Sequence, residues 1–168
     1  EANLRGADFR HTHLGGANLR RANLEHANME GANLVKARLD SATLTMTVLY
    51  KANLSGASLH GATLHHAVLI GAQLAGTDLR KADLTEMYGP KAHLQQARLT
   101  EANLELANLV AADLSQSDIS HAVVVQTNLQ EANLRGANMS ASDLTGAQLN
   151  NADLQQADLR GANLSGAL

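Results

Sequence analysis

Leucine recurs at every fifth position along this chain, and alanine usually stands two residues before it. From Leu4 to Leu164 there are 33 such positions, and 27 of them hold Leu. The others hold Phe, Met, Ile, Val or, once, Gly. The phase never slips between the first unit and the last, so the whole chain is one array of five-residue units.

A period of five fits neither the α-helix, with 3.6 residues per turn, nor the two-residue alternation of a strand. Leu every five residues would wind around all sides of a helix. Within one unit, however, Ala and Leu are two apart and lie on the same side of an extended segment. The odd residue forces one bend per unit, and repeated bends of one sense make a coil. This predicts an all-β solenoid with stacked, parallel-paired coils, in which Ala and Leu point inward.

The composition agrees with a narrow interior. Hydrophobic residues make up 45% of the chain, nearly all of them Ala and Leu, whereas aromatic residues make up 2%. An ordinary core would use more Phe, Val and Ile. A thin tube has room for alternating small and large aliphatic side chains, but not for many rings.

The motif A(D/N)LXX resembles the pentapeptide-repeat family, as in Ala2-Asn3-Leu4-Arg5-Gly6, Ala152-Asp153-Leu154 and Ala162-Asn163-Leu164. The resemblance covers essentially the whole chain. It implies a right-handed quadrilateral parallel β-helix with four units per coil, hence about eight coils and a rod roughly 40 Å long. We expect residues 1–168 to form a single domain that is a segment of a longer chain, because the repeats begin at once and without Met.

Glycine favours one corner of the predicted coil. Eleven of the 13 Gly residues lie two residues after the Leu position, where Lys, His, Glu and Gln also occur. Because these side chains share the position, we expect the corner to tolerate Gly without requiring a positive φ in every unit.

The segment TEMYGP, residues 85–90, is the irregular repeat. Met87 stands where Ala is usual and Gly89 where Leu is usual, so we expect the large and small side chains to have exchanged places. Pro90 is the only proline and has no N–H. It is therefore expected to remove or re-route one hydrogen bond of the ladder.

Stacking residues 20 apart reveals one predicted outward face whose middle is apolar. Exposed apolar area usually marks an interaction site, and Tyr is favoured in interfaces. The alternative is that β-branched and aromatic residues simply suit a pleated ladder. The residues predicted to bind a protein partner are Val48, Tyr50, Val68, Ile70, Tyr88, Pro90 and Val110.

Charge is modest and unevenly distributed. The net charge is −3, which predicts neither nucleic-acid nor membrane binding. Residues 1–84 carry nine Lys or Arg and seven Asp or Glu, whereas residues 85–168 carry four and nine. The resulting net of −5 is well short of the charge density of DNA. One ladder, Arg38, Ser58, Asp78, Arg98 and Asp118, alternates in sign and is expected to form weak ion pairs rather than a docking strip.

The residues give little indication of catalysis or metal binding. There is no Cys, so thiolate chemistry and Cys-based zinc sites are excluded. Among the eight His residues, His60, His65 and His66 could converge at one corner, but no carboxylate is expected beside them. Serines lack a His–Asp partner at a fixed offset, and no phosphate-binding glycine loop is present. We therefore expect no enzyme activity, no metal and no cofactor.

The sequence thus favours a non-catalytic rigid scaffold that binds a protein partner through the apolar face. Two alternatives stay open. One is a DNA mimic that inhibits an enzyme such as gyrase, as the resemblance allows, and the other is a pure structural spacer. Open coil ends also predict flanking domains or end-to-end association. No apolar run of about 18 residues and no leader is seen, so a soluble, cytoplasmic protein is favoured.

Overall fold

The computed structural model describes residues 2–168, which form a four-sided parallel β-helix. Twenty-nine parallel bridges join residues that are 20 apart, from Asn3–Asn23 to Asp143–Asn163. Since each unit has five residues, four units complete one coil. Pairing on each side is confined to one bridging residue per unit, at positions 3, 8, 13 and so on to 163, and residues 2–168 contain no helix. The predicted β-helix is confirmed.

The four sides are numbered by the bridging residue with which each begins. Side 1 begins at Asn3, side 2 at Asp8, side 3 at His13 and side 4 at Asn18, and each continues every 20 residues. Sides 2 and 4 are therefore opposite each other across the core.

Each unit makes the same set of backbone hydrogen bonds. The N–H of Leu4 donates to the carbonyl of Asn23 at 2.7 Å, and the N–H of Asn23 donates back to Ala2 at 2.9 Å. The N–H of Ala7 donates to the carbonyl of Leu4 at 3.1 Å and closes the turn between two sides. The ladder thus uses main-chain groups alone, and outward side chains are free to vary.

The corner residue of every unit has a positive φ, contrary to our expectation. All 33 positions that lie two residues after the Leu position have φ between 52° and 70°, and 22 of them are not Gly. The turn needs this value because only a left-handed residue between the Leu carbonyl and the next N–H brings them together. Gly is therefore the unstrained choice at each corner, and the other residues are held there by the coil.

Ala and Leu fill the interior from Ala22 to Ala147, almost all with 3% or less of their surface exposed. Hydroxyl residues that replace Ala keep their hydrogen bonds inside. Thr47, for example, is fully buried and its Oγ1 donates to the carbonyl of Leu24 at 2.8 Å. Polar replacements in the core are therefore satisfied by the turn carbonyls.

The irregular repeat keeps the coil intact. Met87 is buried, and a Cβ added to Gly89 would lie 2.8 Å from its Cε, so the Met side chain occupies the space of the missing Leu. The expectation that Pro90 disturbs the ladder was wrong. No residue in this position donates a backbone ladder bond anywhere in residues 2–168, and the carbonyl of Pro90 accepts normally from Gly71 at 3.1 Å.

In the part of the chain that the structure describes, no helix has the length and apolar character to cross a membrane.

Candidate protein-interaction face

Side 2 brings together all seven residues that the sequence proposed as a binding surface, and we call this set the apolar face. Val48 bridges Val68 and Val68 bridges Tyr88, so three consecutive coils carry an apolar bridging residue. Tyr88 is 47% exposed, and the other members are half-buried against one another. The second column of the face, two residues further along each unit, is Tyr50, Ile70, Pro90 and Val110.

The bridging position has a polar role in most units that the sequence analysis missed. Each Asn or Asp there accepts a hydrogen bond from the backbone N–H two residues later. Val110 donates to Asn108 Oδ1 at 3.2 Å, and Ser120 donates to Asp118 Oδ1 at 3.2 Å. This satisfies the one N–H that the ladder leaves over, and it explains the D/N of the motif.

The apolar face gives up this hydrogen bond. Val48 and Val68 cannot accept it, and the N–H groups of Tyr50 and Ile70 donate to no group of residues 2–168. Pro90 has no N–H to donate. A hydrogen bond is worth about 0.5–1.5 kcal/mol net, whereas a cross-strand apolar pair is worth roughly 0.2–1 kcal/mol. Fold stability alone therefore does not favour valine at these positions.

The corners beside the apolar face form a mixed rim. On the side 1 corner, Met46 and Leu106 are 45% and 46% exposed. On the opposite corner, Lys51 and Lys91 are exposed, and Lys51 Nζ lies 4.9 Å from the ring centroid of Tyr50. The sequence analysis missed Met46 and Leu106 because it did not test the corner column for apolar residues. The same stacking by 20 would have found them.

A smaller apolar spot lies on side 1. Val123 is 39% exposed and belongs to the same unit as Val125, whose carbonyl accepts from the N–H of Leu106 at 3.0 Å. It involves one coil of bridging residues, whereas the apolar face involves three.

A family model for pentapeptide repeats matches this chain in eight copies, over residues 2–40, 47–86, 91–124 and 127–166. The chain belongs to the pentapeptide-repeat family. One gap between the matched segments is residues 87–90, which begin with the buried Met87 and end with Pro90.

Several solved pentapeptide-repeat structures are similar to this chain. HetL, involved in heterocyst differentiation regulation in the cyanobacterium Nostoc sp. strain PCC 7120, is 28% identical over 99% of this chain and 86% of its own, with a TM-score of 0.42. A trypsin-treated variant of QnrB1, a plasmid-mediated fluoroquinolone resistance protein, is 17% identical over 99% and 81%, with a TM-score of 0.44. Rfr23 from the cyanobacterium Cyanothece 51142 is 23% identical over 99% and 87%, with a TM-score of 0.22.

These TM-scores are too low to transfer a role to this chain. No curated protein sequence matches it. The function therefore has to be argued from the chain's own outward residues.

The histidines of this pentapeptide-repeat coil are arranged differently from our expectation. One donor atom from each of His65, His66 and Glu86 lies within 4.8 Å of the others. The expectation that no carboxylate accompanies these histidines was wrong, because Glu86 is 20 residues after His66 and stacks on it. His60 is not part of this group, and its Nδ1 is buried without a hydrogen-bond partner in residues 2–168.

The charged ladder of side 4 is satisfied within the chain. Asp78 Oδ2 lies 2.6 Å from Arg80 Nη2 and 3.7 Å from Arg98 Nη1. The hydrogen bond from Arg80 holds the pKa of Asp78 below its usual value. Asp118 accepts from Thr100 and Ser120 rather than from Arg98. Such exposed pairs are worth little for stability, and they leave few charges free for docking.

Proposed function

We propose that this pentapeptide-repeat chain is a non-catalytic rigid scaffold that binds a protein partner through the apolar face. The observation that carries the proposal is the loss of the Asn/Asp turn bond in three consecutive coils of one side. Val48, Val68 and Tyr88 stand where polar residues would serve the coil at least as well. A surface that departs from the stabilising pattern in a contiguous block is typical of a functional site.

The chemistry of the face suggests the chemistry of its partner. Its centre is apolar with an exposed Tyr, and one rim carries Lys51 and Lys91. An apolar core with a charged rim is the usual anatomy of a protein interface. We therefore propose a folded partner that presents an apolar centre and places carboxylates opposite these two lysines.

The size of the face limits the contact. Four coils at about 4.8 Å span roughly 14 Å from first to last, and a three-residue extended segment is about 7–10 Å wide. This area is far below the roughly 800 Å² per partner of a stable complex. A stable partner must therefore also cover the corners, including Met46 and Leu106, and a partner confined to the face would bind transiently.

The test replaces apolar bridging residues with the residue that the coil itself uses there. The Val48→Asn, Val68→Asn double variant should restore two turn bonds and keep or raise the melting temperature, while a partner captured from lysate of the source organism is lost. Val123→Asn makes the same exchange outside the face and should retain that partner.

The outcome separates a binding surface from a structural one. If the double variant melts clearly below the wild type, the valines stabilise the coil and the binding role is rejected. If wild type and variants capture the same proteins, a role for this face in binding is rejected as well.

Two alternatives make different predictions. A DNA mimic would inhibit gyrase supercoiling at micromolar concentration, and its effect would depend on the acidic residues 85–168 rather than on Val48 and Val68. A pure spacer would tolerate the double variant without loss of any partner. Supercoiling assays with wild type and the double variant distinguish both from the proposed scaffold.

A further inference from the structure

His65, His66 and Glu86 form the one group of three side chains in residues 2–168 whose donor atoms could meet at a metal ion. His65 lies just after the Leu position of side 1, and His66 occupies the corner between sides 1 and 2. Glu86 occupies the same corner one coil later, and the bonding of His66 N–H to the carbonyl of Thr85 at 3.2 Å fixes that register. The group therefore depends on coil stacking and not on sequence proximity alone.

The distances between donors suit a tetrahedral ion. With bonds of about 2.1 Å, two ligands of a tetrahedral zinc ion lie about 3.4 Å apart. His66 Nδ1 and Glu86 Oε2 are separated by 3.5 Å. The rings of His65 and His66 have centroids 3.9 Å apart and are tilted by 49°. A modest rotation of one half-buried imidazole would complete a three-ligand set.

The second nitrogen of His65 is already committed. Its Nδ1 lies 3.1 Å from the carbonyl oxygen of Thr85. Since a carbonyl can only accept, Nδ1 carries the proton and Nε2 keeps a free lone pair. A backbone carbonyl that orients a histidine in this way is the usual support of a metal-binding imidazole.

We propose that His65, His66 and Glu86 bind a zinc ion. Two imidazole nitrogens and one carboxylate oxygen are donors that zinc accepts, and the fourth position would hold water. The site is on the surface, beside the apolar face but made of other residues, so the proposal does not depend on the proposed partner.

The chain contains a matched control for this site. His26 Nε2 and Glu25 Oε1 are also 3.5 Å apart, and His26 occupies the same corner two coils earlier. Its stacked neighbour there is Met46, so no third donor of this kind is added at that corner. If a His–Glu pair alone were enough, both places would bind.

The variants can be chosen from residues that the coil already uses in the same positions. Thr45 and Thr85 flank His65 in its column, and Gln96 and Gln126 occupy corners with positive φ. His65→Thr, His66→Gln and Glu86→Gln are therefore expected to fold, as is the control His26→Gln. Equal melting temperatures of the metal-free proteins verify this.

The experiment is calorimetric titration of each metal-free protein with ZnCl₂, with the visible absorption of bound Co²⁺ as a second reading. We expect one zinc ion per chain, a weakening of at least about tenfold in each of the three site variants, and no change in His26→Gln. Zinc should also raise the melting temperature of the wild type and of His26→Gln only.

Three results would overturn the assignment. They are the absence of saturable binding, wild-type affinity in any of the three site variants, and an equal loss of affinity in His26→Gln. The first of these would leave His66 and Glu86 as a simple ion pair.

Discussion

Side 2 and side 4 are opposite faces of one rod, and they share a backbone but not a surface. Both are joined by the same parallel bridges every 20 residues. On side 2 the bridging residues of the middle coils are Val48, Val68 and Tyr88, whereas on side 4 they include Asp78 and Asp118. Because main-chain groups carry the ladder, the outward column can change completely without altering the coil. The difference between the two sides is therefore a difference of surface chemistry.

The polar side satisfies its own groups. Burial by itself would raise the pKa of Asp118, but hydrogen bonds from Ser120, Thr100 and Asn138 hold it below its usual value. The apolar face instead leaves Tyr88 47% exposed and two backbone N–H groups for solvent. One side is internally complete, and the other has capacity left for a partner.

The largest effect is expected where the interior beneath the apolar face is irregular. Met87→Ala should cost about 2–4 kcal/mol, because it leaves two small residues facing each other over a cavity. Gly89→Leu should cost about 1–3 kcal/mol through overpacking against the Met side chain. The double variant restores the regular unit and should recover most of both losses, as measured by urea unfolding.

Partner binding provides the control for this pair of changes. Tyr88 and Pro90 are unchanged in the double variant, so capture of the partner should persist. Additive losses in the double variant would show that the two side chains do not share one space.

An exchange between the two sides should have the next largest effect. Asn138→Val on side 4 removes hydrogen bonds to Asp118, to the Ser140 N–H and to its hydroxyl. We expect a loss of about 1–2 kcal/mol, since each bond is worth about 1 kcal/mol. Val68→Asn on side 2 should change stability by less than about 1 kcal/mol, in the stabilising direction. Paired thermal and urea unfolding of the two variants tests the asymmetry, and equal losses in both would remove it.

The corners should respond alike on both sides. Lys91→Gly relieves a φ of 58° and Gly61→Ala introduces a side chain at a φ of 61°. A left-handed conformation costs a non-glycine residue about 1 kcal/mol, partly offset by the greater chain entropy of Gly when unfolded. We expect a gain of up to about 1 kcal/mol for the first and a similar loss for the second. A stabilising Gly61→Ala would contradict a common requirement for positive φ.

The smallest effect concerns acid stability. The hydrogen bond from Arg160 lowers the pKa of Asp158 to about 2, and Arg10 lowers the pKa of Asp8 to about 2. Because the folded values lie below the ordinary value of 3.8, this stabilisation is present above about pH 4 and is lost as the pH falls towards 2.

An Asp8→Asn, Asp158→Asn double variant keeps an oxygen that can accept the turn bond but lacks the charge. Its melting temperature should therefore fall less than that of the wild type between about pH 4 and pH 2. Parallel curves for the two proteins would show that these exposed pairs do not contribute.

The sequence predicted the fold because its pattern is strictly local. Ala and Leu two apart, repeated every five residues, determine which side chains face inward, and stacking by 20 then placed Val48, Val68 and Tyr88 on one side. Met87 and Gly89 were also understood from volume alone. The errors concerned hydrogen bonds and dihedral angles, as at Pro90 and at the non-glycine corners, since a one-letter pattern does not show which N–H groups a turn uses.

The sequence by itself therefore determined the coil, its register and the apolar face, because periodicity fixes the direction of every side chain once the chain closes into four sides. Only the tertiary structure decided what neighbouring columns do together. It showed that Asn and Asp bond to the N–H left over by the ladder, that Met46 and Leu106 border the apolar face, and that Glu86 meets His65 and His66. These contacts depend on rotamers and on distances between coils, which a repeat pattern leaves free.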